Sequence, residues 1–525
     1  MCVIVLGACS HRELNTKVSN TTGWSYHNQQ TTNFEAQADI SYGIPTGMVP
    51  IQGGTFMIGE NDEFITAPRN NNQRSVTVSS FYMDKYEVSN LNWREYLHWV
   101  ELVFGPVAPN LVIKALPDTT VWREELAYNE PYLENYFRHP AYSFYPVVGV
   151  TWEQAMIYSQ WRTDRVNELA LVNCGEIEYP PFAELQPTTD EGFKDEWETA
   201  TGYTMDEFEA PDPEDPSNTV TFYRPPYDYI RDKFVFNTEK YLNVSDYQPE
   251  LGRKPRTDTY GDARKVNRDD GILVVGYRLP TEAEFEFAAY APVAGEDGLT
   301  VEGKIYPWSG YHPRNLTTKQ RGQLMANFVR GRGDMMGVSG ALNDKYVITA
   351  PVDEYAPNDF GLYNIAGNVN EWVLDVYRET TNQETSEYNS FRGNIFTKPK
   401  KVKDLDGNES YVLDSLGCIE VEYAGSDDKR DYLDGDFASL LDTDYPLDTA
   451  GIENLSAVKF DPTDILAPKI TKKSRVYKGG SWRDRIYWLN PSTRRYLDQD
   501  RSSNTIGFRC AMSTVGDMEN TGNGK

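Results

Sequence analysis

The residues best suited to chemistry lie in the string PNDFGLYNIAGNVNEW, where Asn364, Gly367, Val369 and Glu371 stand at i, i+3, i+5 and i+7. In an extended, kinked segment, two side-chain oxygens (Asn364, Glu371) and two backbone carbonyls (Gly367, Val369) converge on one hard cation, as calcium requires. A turn followed by a paired glutamate gives the same spacing, so the pattern alone leaves both readings open. Softer chemistry has less material. The five cysteines (Cys2, Cys9, Cys174, Cys418, Cys510) form no CxxC, and the five histidines (His11, His27, His98, His139, His312) never pair at metal-ligand spacing. A zinc knuckle, a disulfide scaffold and a multi-histidine iron site are therefore not expected. Asp359, Phe360 and Gly361 spell the kinase DFG without a Gly-rich loop, strand lysine or HRD loop beside them. Arg332, Gly333 and Asp334 read as a solvated turn. The glycine of DLDGNES comes too early for an EF-hand, so KVKDLDGNESYVLDS is read as a hairpin turning at Asp406 and Gly407.

These residues need a frame. Thr151 with Gln154, and Thr281 with Glu284, are capping-box pairs ahead of the helical strings AMIYSQW and EFEFAAYA. Ser89 caps a third helix, in which Trp93, Tyr96, Leu97, Val100 and Phe104 recur at helical spacing before Gly105. MVPIQGGTFMIG, from Met48 to Gly59, alternates around Gly-Gly and predicts a short hairpin. From about 164 to 270 the chain turns acidic and Pro-punctuated, as it does from about 377 to 473, and both stretches read as insertions. The aromatics of the first (Tyr203, Phe208, Phe222, Tyr223, Tyr227, Tyr229) suggest an ordered interface.

The chain has 525 residues, 51 Lys and Arg against 79 Asp and Glu, and a net charge of −28. That charge repels phosphate backbones, which excludes nucleic acid as a partner. With 39% hydrophobic residues the chain can build a core. Removing the insertions and the N-terminal segment leaves roughly 265 residues, enough for one domain.

No run of about 18 apolar residues is present to cross a bilayer as a helix. MCVIVLGAC, however, reads as the end (residues 1–9) of a bacterial lipoprotein signal that starts upstream of Met1, with Cys9 as the lipidated residue. Acyl chains on Cys9 would anchor the protein without a spanning helix. Residues 10–45 then form a polar tether, 46–515 a single domain carrying both insertions, and 516–525 a polar tail.

Nine ordered strings carry a family resemblance: MVPIQGGTFMIG, FYMDKYEVSN, YPVVGVTWEQA, YRLPTEAEFEFAA, YPWSG, LMANF, TAPVDEYAPNDFGLYNIAGNVNEW, YKGGSW and GFRCAM. Together they resemble the formylglycine-generating enzyme, or sulfatase-modifying factor, family. The resemblance implies an α+β, C-type lectin-like core low in regular secondary structure, interrupted here by the two long insertions. It implies calcium at the Asn364 site, and a second calcium held by the Asn327 and Asp344 side chains with the Phe328 and Tyr346 carbonyls. Oxidases of the family bind copper through two cysteines beyond a GGS-aromatic motif, and soft thiolates suit Cu(I). Counting from Gly479, Gly480, Ser481 and Trp482 puts Asp484 and Leu489 at those positions, so no copper is expected and the active site is degenerate. Ser159 stands where the resemblance places a disulfide partner for Cys510.

Within this superfamily the chain most resembles gliding-motility lipoproteins of the GldJ type. The carrying strings are TGWSYHN, RHPAYSFYPVVGV, QWRTDRVNE and VYKGGSWRDRIYWLNPSTRRYLDQDRSSNTIGFRCAM. That resemblance implies a non-catalytic lipoprotein on the periplasmic face of the outer membrane, a scaffold of type IX secretion and gliding. The partners it implies are a GldK-type lipoprotein, ring components and the outer-membrane translocon. A divergent oxidase and a calcium-dependent glycan-binding module are the alternatives.

Overall fold

A computed structural model describes residues 18–19, 21–25, 43–60, 71, 73–179, 182–211, 218–243, 256–257, 263–291, 304–308, 310, 312–315, 321–330, 346–377, 397–403, 409–414, 417, 419–423 and 473–515. Cys2, Cys9, Asp344, Cys418, most of the tether and much of 377–473 lie outside the described residues.

Residues 48–58 and 74–84 pair antiparallel in one continuous register, from Met48 opposite Asp84 to Ile58 opposite Arg74. MVPIQGGTFMIG is therefore one leg of a longer hairpin, not a hairpin itself. Gly53 and Gly54 are a corner in that leg. A Cβ on Gly53 would sit 2.3 Å from the Val78 carbonyl oxygen, so only glycine lets this corner nest against Ser79 and Ser80. The Gly53 N–H donates to Ser80 Oγ at 3.0 Å. Ala511–Ser513 pairs with the other edge of Phe81–Asp84, completing a sheet ordered Met48–Ile51, Phe81–Asp84, Ala511–Ser513.

A second sheet is ordered Arg495–Asp498, Ser474–Lys478, Asn370–Val376, Ile506–Gly507, antiparallel except for its last pair. The helices Asn90–Phe104, Trp152–Cys174 and Glu282–Tyr290 start at the expected caps, each with a reciprocal capping box. The partner of Ser89 in its box is Asn92. Trp93 and Tyr158 stack between the first two helices at 5.3 Å, and Trp372 and Phe508 close the same core.

Glu282–Tyr290 is buried almost throughout, although it carries three glutamates. Burying a carboxylate is costly unless it is paired. Lys478 Nζ donates to Glu282 at 3.0 Å and Glu286 at 2.9 Å, Arg494 donates to Glu282 at 2.6 Å, and Arg278 holds Glu284 with two bonds of 2.7 Å.

The first insertion departs from expectation. Helix Trp152–Cys174 runs unbroken across residue 164 and is closed by Gly175 in a left-handed conformation. Asp164 faces inward, accepting from the Thr238 N–H and hydroxyl at 2.9 and 2.8 Å. Beyond it lie the helix Glu191–Thr201, the hairpin Asp206–Pro211 with Thr219–Arg224, and the helix Tyr227–Phe234. Trp197, Met205, Tyr229, Ile230 and Phe234 join the Trp93 core, so aromatics read as an interface are in part interior packing. In the second insertion, Lys401–Lys403 pairs with Glu409–Tyr411 as the expected hairpin. No helix among the described residues is long and apolar enough to cross a membrane.

Candidate functional site

Asn364, Gly367 and Asn368 take φ of 49°, 82° and 65°, which kinks the segment ahead of Asn370–Val376. Asparagine and glycine tolerate this left-handed region best, so the NIAGN sequence and the kink explain each other. A Cβ on Gly367 would meet the Asn327 carbonyl oxygen at 2.7 Å. The Asn368 N–H donates to that same carbonyl at 3.0 Å, and the Gly367 N–H donates to the Gly479 carbonyl at 2.9 Å. The kink thus gathers three sequence-predicted features: the Asn364 segment, Asn327 of the second calcium set, and the GGSW loop.

Side chains tighten this junction. Asn327 Nδ2 donates to the Ile348 carbonyl at 2.8 Å and to Asn368 Oδ1 at 3.5 Å. Glu371 accepts two bonds of 2.6 Å from Arg509, and neither side chain is exposed. Spacing did not foresee that partner. A carboxylate has lone pairs beyond the two that a guanidinium takes, so Glu371 retains capacity for a cation.

Sequence reasoning also missed Glu87. Its Oε2 accepts from Asn368 Nδ2 at 2.7 Å and from Asn364 Nδ2 at 3.3 Å. Burial and the neighbouring Glu371 push its carboxyl up to about 8. Glu87 Oε1 and Asn364 Oδ1 are both buried and have no hydrogen-bond partner among the described residues. Orphaned acceptor oxygens are uncommon in a folded interior. Both are hard oxygen donors of the type that calcium takes. The signal available in the sequence was the EVSN of FYMDKYEVSN, an acidic residue inside an otherwise core-forming string.

Beyond the GGSW loop, Asp484 receives the Ser481 N–H at 2.9 Å and the Ser481 hydroxyl at 2.6 Å. Arg495 grips the same carboxylate with bonds of 2.6 and 2.7 Å, and its guanidinium lies 4.4 Å from the Trp488 ring centroid. Burial opposes ionisation of Asp484, but Arg495, Ser481 and Asn370 outweigh it and hold the carboxyl below its ordinary range. Leu489 is fully buried among Ile305, Tyr306, Leu324, Ala326, Phe328 and Ala366. One position is a neutralised carboxylate and the other an apolar packing residue, so neither supplies a soft metal ligand. Among the described residues, no group of three or more His, Cys, Asp or Glu converges for a metal ion. Cys510 lies buried against Ser159, with its thiol pushed up to about 12 by burial and by Asp84.

The sulfatase-modifying factor enzyme 1-like domain matches residues 40–514, nearly all of this architecture. The chain belongs to that family. The formylglycine-generating enzyme of Mus musculus is 39% identical over 100 residues, 19% of this chain and 22% of that protein. The formylglycine-generating enzyme of Thermomonospora curvata is 43% identical over 100 residues, 19% of this chain and 27% of that one. The inactive C-alpha-formylglycine-generating enzyme 2 of Bos taurus is 36% identical over 104 residues, 20% of this chain and 28% of that protein. The chain thus spans about a quarter of the length of the curated relatives it matches. The mixed helices and short strands described above are this family's fold.

Proposed function

We propose that this family member is a non-catalytic scaffold of the GldJ type, anchored by lipid on Cys9 to the periplasmic face of the outer membrane. In that place it serves type IX secretion and gliding. One observation carries the reading: Asp484 is locked to Arg495, and Leu489 is packed in the core, where copper oxidases of the family need two thiolates. A thiolate-free pair cannot hold Cu(I) in the manner that activates oxygen. An inactive paralogue among the relatives is in keeping with a fold retained after its chemistry is lost.

Calcium is the proposed cofactor, held by Asn364, the Gly367 and Val369 carbonyls and Glu371, with a second ion at Asn327, Asp344 and the Phe328 and Tyr346 carbonyls. Bound there, it supplies positive charge to a junction rich in buried carboxylates. The chain's own residues provide the kink, the oxygen donors and the exclusion of water.

The test is co-purification from gently solubilised envelopes, paired with oxygen uptake after copper loading. Recovery of a GldK-type lipoprotein, ring components or translocon, with no oxygen uptake, supports the scaffold. Copper-dependent turnover abolished by Asp484→Ala replaces it with the oxidase reading.

A further inference from the structure

Helices Asn90–Phe104 and Trp152–Cys174 leave a slot of about 20 Å³ between them, walled on a third side by Val235 and Phe236 of the first insertion. Tyr96 and Asp164 are buried in it, while Trp99, Ile157, Trp161 and Phe236 are partly exposed, so the slot opens at the surface. None of its lining residues belongs to the Asn364 kink or the GGSW loop.

Two donors in this slot stand out. Trp93, Trp152, Trp372 and Trp482 each donate the indole N–H to a backbone carbonyl. The Nε1 atoms of Trp99 and Trp161, whose rings lie 6.2 Å apart, are buried and have no hydrogen-bond partner among the described residues. Buried polar atoms are nearly always paired, and an indole N–H can only donate. Two such orphans in one slot call for an acceptor from outside.

The lining narrows the class of acceptor. Asp164 already accepts two bonds from Thr238, and Glu168 already holds Arg165 at 2.6 Å, so a free anion would meet carboxylates. A sugar hydroxyl brings a donor of its own into a slot whose carboxylate is engaged. A polyproline II segment brings the opposite: it has no internal hydrogen bonds, so its carbonyls stand free, and its prolines have no N–H to satisfy. Aromatic-lined grooves take such preformed segments. Glu95 is exposed one turn before Trp99, and the chain carries a net charge of −28, which favours basic flanks. We propose that this slot docks a proline-rich segment of a partner protein, flanked by lysine or arginine, whose backbone carbonyls accept from the Trp99 and Trp161 indoles. The inference goes beyond the scaffold reading and is independent of calcium and of lipid.

The experiment is a fluorescence-anisotropy titration of the full chain into a labelled oligoproline peptide flanked by arginines. An arginine-flanked glycine-serine peptide serves as the charge control. Wild type is expected to bind the oligoproline and to bind the control far more weakly. Trp99→Phe and Trp161→Phe keep an aromatic ring and remove the N–H, and each should weaken binding by about three- to tenfold, the worth of one hydrogen bond. Absence of oligoproline binding, equal binding of the two peptides, or unchanged affinity in both variants overturns the proposal. Binding of a soluble oligosaccharide instead of the peptide, lost in the same variants, overturns it as well. If a Phe variant does not fold, Ile157→Arg at the partly exposed mouth blocks the slot and repels the basic flanks. Undiminished peptide binding by that variant is equally decisive against the site.

Discussion

The Ser159 hydroxyl lies 3.5 Å from the Cys510 sulfur, and both residues are buried. They join helix Trp152–Cys174 to the chain just before the last strand, 351 positions apart in sequence. Ser159 thus occupies the place in space, as well as in the alignment of motifs, where the family resemblance puts a disulfide. Ser159→Cys is therefore expected to close a bond with Cys510 on oxidation. Stabilisation of about 2–4 kcal/mol is typical for such a bridge. Thiol titration, with melting curves in the presence and absence of reductant, checks it, and two thiols persisting after oxidation would contradict it.

Asp484 sets a pH dependence. Its carboxyl is held below the ordinary range in the folded chain, so its contribution is fully present above the unfolded value near 4 and fades as pH falls through the lowered folded value. Asp484→Asn should cost about 2–3 kcal/mol at neutral pH, because Arg495 loses its partner in a mostly buried setting. That gap should shrink as denaturation is measured at successively lower pH below about 4. A gap independent of pH refutes the assignment.

Glu371 and Asn364 separate structure from calcium. Glu371→Ala leaves Arg509 buried without its carboxylate and should cost about 3–5 kcal/mol whether or not calcium is present. Asn364→Ala removes one oxygen of the proposed calcium site without stranding a charge, so its loss should appear mainly as a lost response of melting temperature to added calcium. Equal behaviour of the two variants in chelator would show that Arg509 does not depend on Glu371.

The acidic segment beyond Cys174 is tested by Trp197, which is buried with its ring 4.7 Å from that of Tyr229. Trp197→Ala is expected to cost about 3–5 kcal/mol, the range for emptying a large core site. Chemical denaturation should show that loss in the same single transition that unfolds the Trp93 core. A separate, earlier transition would make the segment an independent unit.

What the sequence disclosed was local. Capping boxes at Thr151 and Thr281 are legible because donor and acceptor lie three residues apart, and the kink at Asn364 is legible because its residue types tolerate positive φ. The hairpin around Gly53 was misread because a corner and a turn have the same composition, and the true partner strand begins at Arg74. The start of the insertion was misread because Asp164 and Asn167 are buried polar residues that make a core-facing helix look solvated. Glu87 was missed for the same kind of reason: its partners lie 277 and 281 positions downstream.

The central strand Phe81–Asp84 receives one neighbour from Met48–Ile51 and the other from Ala511–Ser513. A polypeptide emerging from the ribosome thus keeps one edge of that strand bare until Ala511–Ser513 has been made. Arg509, the counter-ion of Glu371, arrives at the same late moment. A premature stop codon just before Ile506 would spare nearly the entire domain yet leave a species with an open sheet and a stranded acid, a natural target for quality-control proteases.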